Sequence, residues 1–308
     1  MRTFVDICCG IGSFHWSFVK HGMKCVLACD IDPVARETYR TNYGIEPLGD
    51  IYSIPSESLP KFDVLCAGFP CQPFSNAGQH RGFDDARGTI FFEIMRWIRA
   101  RAPKVVVLEN VPALVSHNQG DTFKHICEHL TDAGYAVSHA IVKCSDYGIP
   151  QMRKRVLLIA CLKGSPEDIL DFARFKKSVT LAEYMERPFE KETAYTIRCG
   201  GRGSKLGNKH NWDSYLVDGA EYRLTIEDAL HLQGFPKTFT LCGTVSQKWH
   251  QLGNTIPTNF TDMVAQNIQR KSAKRSSKPS LKTRASKSLG AAQTSLRVGD
   301  SPNAEGSG

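Results

Sequence analysis

Lys61–Phe74 reads KFDVLCAGFPCQPF. Val64–Ala67 is a short unbroken apolar run, the composition of a strand covered on both faces. It stops at Gly68, and the residues that follow set Cys71 between Pro70 and Pro73. A purely structural cysteine belongs inside an element, whereas two proline rings hold this one at a strand end. Similar runs recur outward from this point: TFVDICC at 3–9, KCVLACD at 24–30, KVVVLEN at 104–110 and RVLLIAC at 155–161. Helix-like segments separate them, at Pro33–Tyr43, Thr89–Arg101 and Asp121–Ala133. Strand–helix alternation predicts an α/β fold, a Rossmann-like, mostly parallel sheet with helices on both faces.

The 308 residues suffice for a sizeable core, and 41% hydrophobic with 23% charged residues is the make-up of an ordinary globular chain. No run of 18 apolar residues suggests a membrane span, and MRTFVDICCGIG lacks a signal-peptide layout. Eleven cysteines, an odd number with no CxxC pair, argue against a disulfide framework or a zinc site and fit a reducing cytoplasm. Cys8, Cys25, Cys29, Cys66 and Cys161 lie in or near strands and read as core. His125 and His129 stand four apart but have no third ligand, so no metal is expected.

The net charge of +8 is almost all in the tail: Arg270–Gly308 holds nine Lys/Arg against two acids. The folded part is therefore near neutral, and any basic face on it must be local. Residues 271–308, rich in Ser, Lys and Gly, read as a disordered tail, either simply solvated or a weak electrostatic arm. The βα pattern also fails between about Ser165 and Tyr222, which reads as a smaller, irregular domain. Its boundaries are placed at 166–249, with 1–165 and 250–270 forming a discontinuous catalytic domain. In RLTIEDALHLQGF, Thr225 is a candidate helix cap with Asp228 three residues on.

VDICCGIGSF places Gly10 and Gly12 in the turn after the first strand, where a backbone can approach a ligand. Tight βα turns are common, so this signal is weak alone. The third glycine of a dinucleotide fingerprint is replaced by His15, which argues against a pyrophosphate. ACDID ends the second strand with Asp30, suited to ribose hydroxyls, and Asp32, which precedes Pro33 and is a candidate helix cap. Asp50 and Ile51 add a further acid and apolar neighbour. Together these residues describe an adenosine pocket, best matched by S-adenosylmethionine. Ligands of open α/β sheets bind beyond the carboxyl ends of the strands, so Cys71 and Glu109 of KVVVLEN are expected to face one crevice. A thiol is a strong nucleophile and a buried carboxyl a good proton donor.

GFPCQPFS, LENV, QMRKR, LQGFP and LGNTIP, in that order, resemble the motif series of the C5-cytosine DNA methyltransferases, closest to the single-chain bacterial restriction–modification enzymes. The resemblance runs from Phe4 to about Arg270 and is weakest between 165 and 222. It implies a DNA (cytosine-5-)-methyltransferase using S-adenosylmethionine, with Cys71 attacking C6 of cytosine and Glu109 protonating N3. Arg155 is implied near O2 of the base, with Arg153 organising the site. Cofactor contacts are implied for Asp6, Cys9, Gly10, Gly12, Asp30, Ile31, Asp50, Ile51 and Asn254. Ile31 stands where relatives often carry a bulkier residue, and Cys9 where a small one is usual. A tRNA-modifying branch of the family is the rival, but it usually carries PPCQ and a CFT motif, and this chain has FPCQ and no CFT.

A cytosine within a duplex must be flipped out to reach Cys71, at a cost of about a few kcal/mol of unstacking. Residues 75–89 read as a loop that closes over DNA, with Arg81 and Arg87 either on phosphates or simply solvated. TIRCGGRGSKLGNKHNWDSY offers Arg198, Arg202, Lys205, Lys209, His210 and Asn211 as readers of a short duplex sequence, interleaved with Trp212. The implied partners are double-stranded DNA and a cognate restriction endonuclease acting on the same site. The protein is expected to be a monomer in a bacterial cytoplasm.

Overall fold

Six short runs of aliphatic and β-branched residues pair into one sheet in a computed structural model, which describes residues 2–70 and 90–276. They are β1 (Thr3–Ile7), β2 (Lys24–Cys29), β3 (Val64–Gly68), β4 (Val105–Asn110), β5 (Ala136–Lys143) and β6 (Lys154–Cys161). Their order is β2-β1-β3-β4-β6-β5. The first four in that order run parallel, while β6 is antiparallel to both of its neighbours. Helix α1 (Ser13–Lys20) follows β1, α2 (Pro33–Tyr43) follows β2, and α3 (Ile90–Arg101) precedes β4. After β4 come the single turn α4 (Ala113–Ser116) and α5 (Asp121–Asp132), and after β6 come α6 (Glu167–Leu170) and α7 (Leu181–Met185). A hairpin of β7 (Ser214–Val217) and β8 (Ala220–Arg223), then α8 (Ile226–Leu232), α9 (Val245–Asn254) and α10 (Thr258–Ser276), complete the described chain.

The period of two along each strand divides the core into two layers. Phe4, Val64, Cys66, Val107, Leu157 and Ile159 pack with Phe18 of α1 and Phe260 and Val264 of α10. Val5, Leu65, Val106, Leu108 and Leu158 pack on the opposite face with Trp97 of α3 and Ile126 of α5. Helices on both faces are the predicted arrangement, and each fully buried large side chain contributes about 1.5–3 kcal/mol.

RVLLIAC departs from the parallel direction that βα alternation implies. It is preceded by β5, a strand whose mostly exposed or half-buried pattern gave it no strong sequence signal. Only residues 144–153 join the two, with a 3₁₀ turn at Cys144–Asp146. That is too little chain for a parallel crossover, so β6 returns antiparallel. The consequence is functional: the start of β6, not its end, lies at the carboxyl edge of β4.

A third core cluster joins Leu181, Phe189, Trp212, Tyr215, Phe235 and Trp249, and Ile11 from the turn after β1 packs into it. It supports the irregular segment that lacks either period. The β7–β8 turn is Asp218–Gly219, both at positive φ, the backbone required by a tight hairpin. Residues 1–271 cluster as one compact unit. Helix α10 continues past the expected start of the tail to Ser276; the rest of the tail lies outside the described residues.

Asp32 caps α2, its carboxylate accepting from Val34 N at 2.8 Å and Ala35 N at 3.4 Å, with Pro33 in the first turn. Asp32→Ala is expected to cost about 1 kcal/mol, read as a lower midpoint in urea denaturation with an unchanged slope.

Candidate active site

The carboxyl ends of β1 to β4 and the amino end of β6 share one edge of the sheet. Glu109 lies one residue from the end of β4 and is 6% exposed. Across the sheet it pairs in register with Gly68, the last residue of β3. A methyl group added at Gly68 would sit 3.3 Å from Glu109 Oε2 and 3.0 Å from Ile256 Cδ1, so the GFP turn and the carboxyl are immediate neighbours. On the other side, Arg155 Nε lies 2.7 Å from Glu109 Oε1. Glu109, Gly68 and Arg155 have the same parity as the layer containing Val107, Cys66 and Leu157, which is why they meet on one face. Burial raises the Glu109 pKa above the ordinary carboxyl value, and the Arg155 and Arg153 charges only partly offset this.

Asn110 points to the opposite face and holds the entry to the FPC turn. Its Nδ2 donates to Phe69 O at 2.8 Å, and its Oδ1 accepts from Val111 N at 2.8 Å. Cys71, Arg81 and Arg87 lie outside the described residues, as does the 75–89 segment. Arg153 is 1% exposed and donates to Ile197 O at 2.9 Å and Gly253 O at 2.8 Å. It is a strut between the chain that leads into β6 and two later segments.

The glycine turn is built on Asp30, whose carboxylate accepts from Gly10 N at 2.7 Å and Asp32 N at 2.9 Å. Burial raises the Asp30 pKa, opposed by these two N–H groups. Gly12 caps α1 at φ 85°, and a side chain there would meet Tyr43 Cε2 at 2.4 Å, so no other residue fits. Tyr43 donates to Gly12 O at 2.9 Å and stacks on His15, whose Nδ1 is 2.6 Å from Tyr39 Oη. The position where a dinucleotide fingerprint has glycine thus braces the turn from below. Asp6 and Cys9 are buried beside it, and burial pushes both groups up. Gly10, by contrast, opens onto free space, and Ile31 is 73% exposed just past β2. Asp50 caps a 3₁₀ turn through Tyr52 N, while the Ile51 side chain is buried in the core and offers no apolar surface of its own. Asn254 is exposed at the end of α9, its Oδ1 2.9 Å from Cys199 Sγ.

In the irregular segment, Arg198 and Lys205 are exposed and have no ion pair or side-chain hydrogen bond among the described residues. Arg202 and Asn211 differ from their expected freedom. Arg202 Nε donates to Asp213 at 3.2 Å, and its guanidinium carbon lies 3.9 Å from the Trp249 ring centre. Asn211 is buried, donating to Ser214 O at 2.8 Å and accepting from Ser214 N at 3.0 Å. Both polar ends of Asn211 are spent on a local turn, leaving no free edge for a base.

The sequence model of the family described as C-5 cytosine-specific DNA methylase matches residues 2–215 and 185–270. The chain belongs to the C-5 cytosine-specific DNA methylases. Type II methyltransferase M.MspI of Moraxella sp. is 35% identical over 296 residues, covering 86% of this chain and 70% of that protein. M.HhaI of Haemophilus parahaemolyticus is 30% identical over 308 residues, covering 86% and 93%. Among solved structures, Dnmt2 methyltransferase of S. pombe superposes with a TM-score of 0.67 at 17% identity, covering 89% of this chain and 99% of that one, a likeness of fold. The methylase is thus a DNA (cytosine-5-)-methyltransferase of restriction–modification type with a Rossmann-like fold, and its methyl donor is of the S-adenosylmethionine type. No helix among its described residues is long and apolar enough to cross a membrane.

Three of the methylase's motifs interlock through partners far apart in sequence. Gln151 of QMRKR donates to Leu232 O at 2.8 Å, and Gln233 of LQGFP donates to Leu252 O at 2.6 Å. Arg153 then closes on Gly253 of LGNTIP. Gln151 and Gln233 are fully buried. A buried amide inside a motif was the available signal, because such groups persist only when bonded.

Proposed function

We propose that the methyl group passes from S-adenosylmethionine to C5 of a cytosine flipped out of a short specific duplex sequence, with Cys71 as nucleophile. The observation that carries this reading is the Glu109–Arg155 pair at 2.7 Å, one strand away from Gly68 and the turn that leads to Cys71. C5 of cytosine is a poor nucleophile by itself. The Cys71 thiolate adds to C6, and the displaced electron pair reaches N3, which takes the proton held on Glu109. Arg155 keeps Glu109 oriented and faces the O2 side of the ring. The resulting enamine carbon C5 takes up the methyl group. S-adenosylmethionine, when bound, supplies that methyl on an electrophilic sulfonium. Loss of the C5 proton to a water-borne base expels the Cys71 thiolate from C6, and the N3 proton returns to Glu109, releasing 5-methylcytosine.

The residues around the glycine turn fit this donor: Gly10 leaves an open cradle, Asp30 stands at the ribose position, and exposed Ile31 offers an apolar surface to adenine. Asp6, Cys9 and Gly12 shape the turn, and Asp50, Ile51 and Asn254 complete the cofactor contacts in this reading. Arg153 organises the site from beneath. Residues 166–249 carry target recognition, with Arg198, Lys205, Arg81 and Arg87 meeting DNA. The methylase acts as a monomer in a bacterial cytoplasm, marking the site of a cognate endonuclease.

Labelled S-adenosylmethionine incubated with the full chain and either unmethylated plasmid DNA or tRNA tests the substrate, and bisulfite sequencing of the plasmid reports the site. Transfer to DNA at one short sequence is expected; transfer to tRNA alone would overturn the reading. Cys71→Ser is expected to abolish transfer while binding of the donor, measured by calorimetry, survives. Methylation by that variant at the normal rate would remove Cys71 from the mechanism.

A further inference from the structure

We propose that Asp213 is the positioning residue of the DNA-reading segment, pairing with Arg202 and Arg223 at its base so that Lys205 and Lys209 at the tip make the phosphate contacts. The proposal rests on the reading that residues 198–210 face DNA. Asp213 is completely buried. Its carboxylate accepts from Arg202 Nε at 3.2 Å, Arg223 Nη1 at 3.1 Å and Gly203 N at 3.4 Å. Arg202 also donates to Leu224 O at 3.2 Å and lies over Trp249 of α9. One buried acid therefore ties together the loop, the β8 strand and, through Trp249, the helix that ends at Asn254.

The start of the segment is tied just as firmly. Ile197 O accepts from Arg153, and Cys199 Sγ lies 2.9 Å from Asn254 Oδ1. The backbone at 198–199 crosses directly over Gly253. Between these anchors and Trp212 the chain projects outward. Residues 205–210 are all exposed, and their hydrogen bonds stay within the segment, such as Asn208 N to Lys205 O at 3.0 Å. Lys205 and Lys209 have no ion-pair partner among the described residues. Arg202 and Arg223 are already ion-paired with the buried Asp213, and Arg223 also with Glu221 at 3.5 Å, so each releases fewer counterions from DNA than an unpaired lysine on a projecting tip.

The test is the salt dependence of the Michaelis constant for plasmid DNA, measured on the full-length methylase. Lys205→Ala with Lys209→Ala is expected to lower the slope of log KM against log salt by about 1.8, about 0.9 per lost phosphate contact. Asp213→Asn and Arg202→Ala are expected to raise KM for DNA roughly tenfold at one salt concentration, with kcat and KM for S-adenosylmethionine within twofold and the slope unchanged, as for loss of one buried charged hydrogen bond. Arg202→Lys, which keeps the charge but not the fork, is expected to behave like Arg202→Ala. If Arg202→Ala lowers the slope by about 0.9, Arg202 is itself a phosphate contact and the clamp assignment is overturned. If the double lysine variant keeps both slope and KM while the wild type methylates DNA, the DNA-facing reading of the segment fails instead. Should Asp213→Asn not fold, the exposed lysines and Arg202→Lys still decide between these outcomes.

Discussion

Glu109→Gln is expected to lower kcat for cytosine methylation by about 10²–10⁴-fold, the range of a positioned proton donor. The amide keeps the shape of the side chain beside Arg155, so the site is not emptied. What it cannot do is give up a proton to N3 as C6 is attacked. Stability should move the other way or not at all. The folded pKa of Glu109 is raised above its unfolded value by burial. Such a group favours the folded state below the unfolded pKa, and that contribution is lost as pH rises through the folded pKa. Above the unfolded pKa the wild type therefore loses stability that the neutral amide keeps. Single-turnover rates and urea midpoints measured on the same preparation separate the two effects. A variant with wild-type kcat would remove Glu109 from the chemistry, and one that is merely unstable would reduce the result to a folding defect. The rate of the wild type should also fall toward high pH as Glu109 ionises.

Gly253→Ala is expected to destabilise the protein by about 3 kcal/mol, a large value for the addition of one methyl group. An added Cβ would stand 2.2 Å from Cys199 N, 2.5 Å from Arg198 C and 2.6 Å from Cys199 Cα. All three are backbone atoms, so no side-chain rotamer relieves the overlap and one segment must move. Arg153 bonds to both partners of this crossing, through Ile197 O and Gly253 O. Movement of either therefore strains a buried guanidinium, whose charged form burial already disfavours. Thermal denaturation reads the effect as a drop of about 2–4 °C per kcal/mol in a chain of this size. A melting temperature equal to the wild type would show that the crossing is looser than its distances indicate. Because Asn254 and the reading segment both leave from this point, residual enzyme should have weakened KM values for both substrates.

Much of the site was legible in short stretches. The run VLCAG followed by FPCQPF marked a strand end with a constrained thiol, and VVVLEN marked a second strand tip bearing an acid. Asp32 before Pro33 and Thr225 with Asp228 three residues later read as helix caps and are helix caps. These features depend on neighbours within a few residues, where period and side-chain reach decide the outcome. The hairpin at Asp218–Gly219 falls inside the stretch read as irregular, although its DG pair is a local hairpin signal. Elsewhere the deciding partner is far away in sequence. Nothing near Arg202 says that Asp213 will be buried and shared with Arg223, and nothing near Asn211 says that both of its polar ends will be spent on Ser214.

The amino-acid sequence by itself determined which groups can react, where strands end and helices begin, and the layered α/β class, because these follow from side-chain chemistry and from periods of two and 3.6 residues. Tertiary structure alone decided that β6 runs antiparallel, and so that Arg155 arrives beside Glu109 and not at the far edge of the sheet. It also decided which cations are free and which are consumed. Strand direction depends on the length of the connection and on the neighbours waiting in the sheet, and the freedom of a charge depends on whether a buried acid reaches it first.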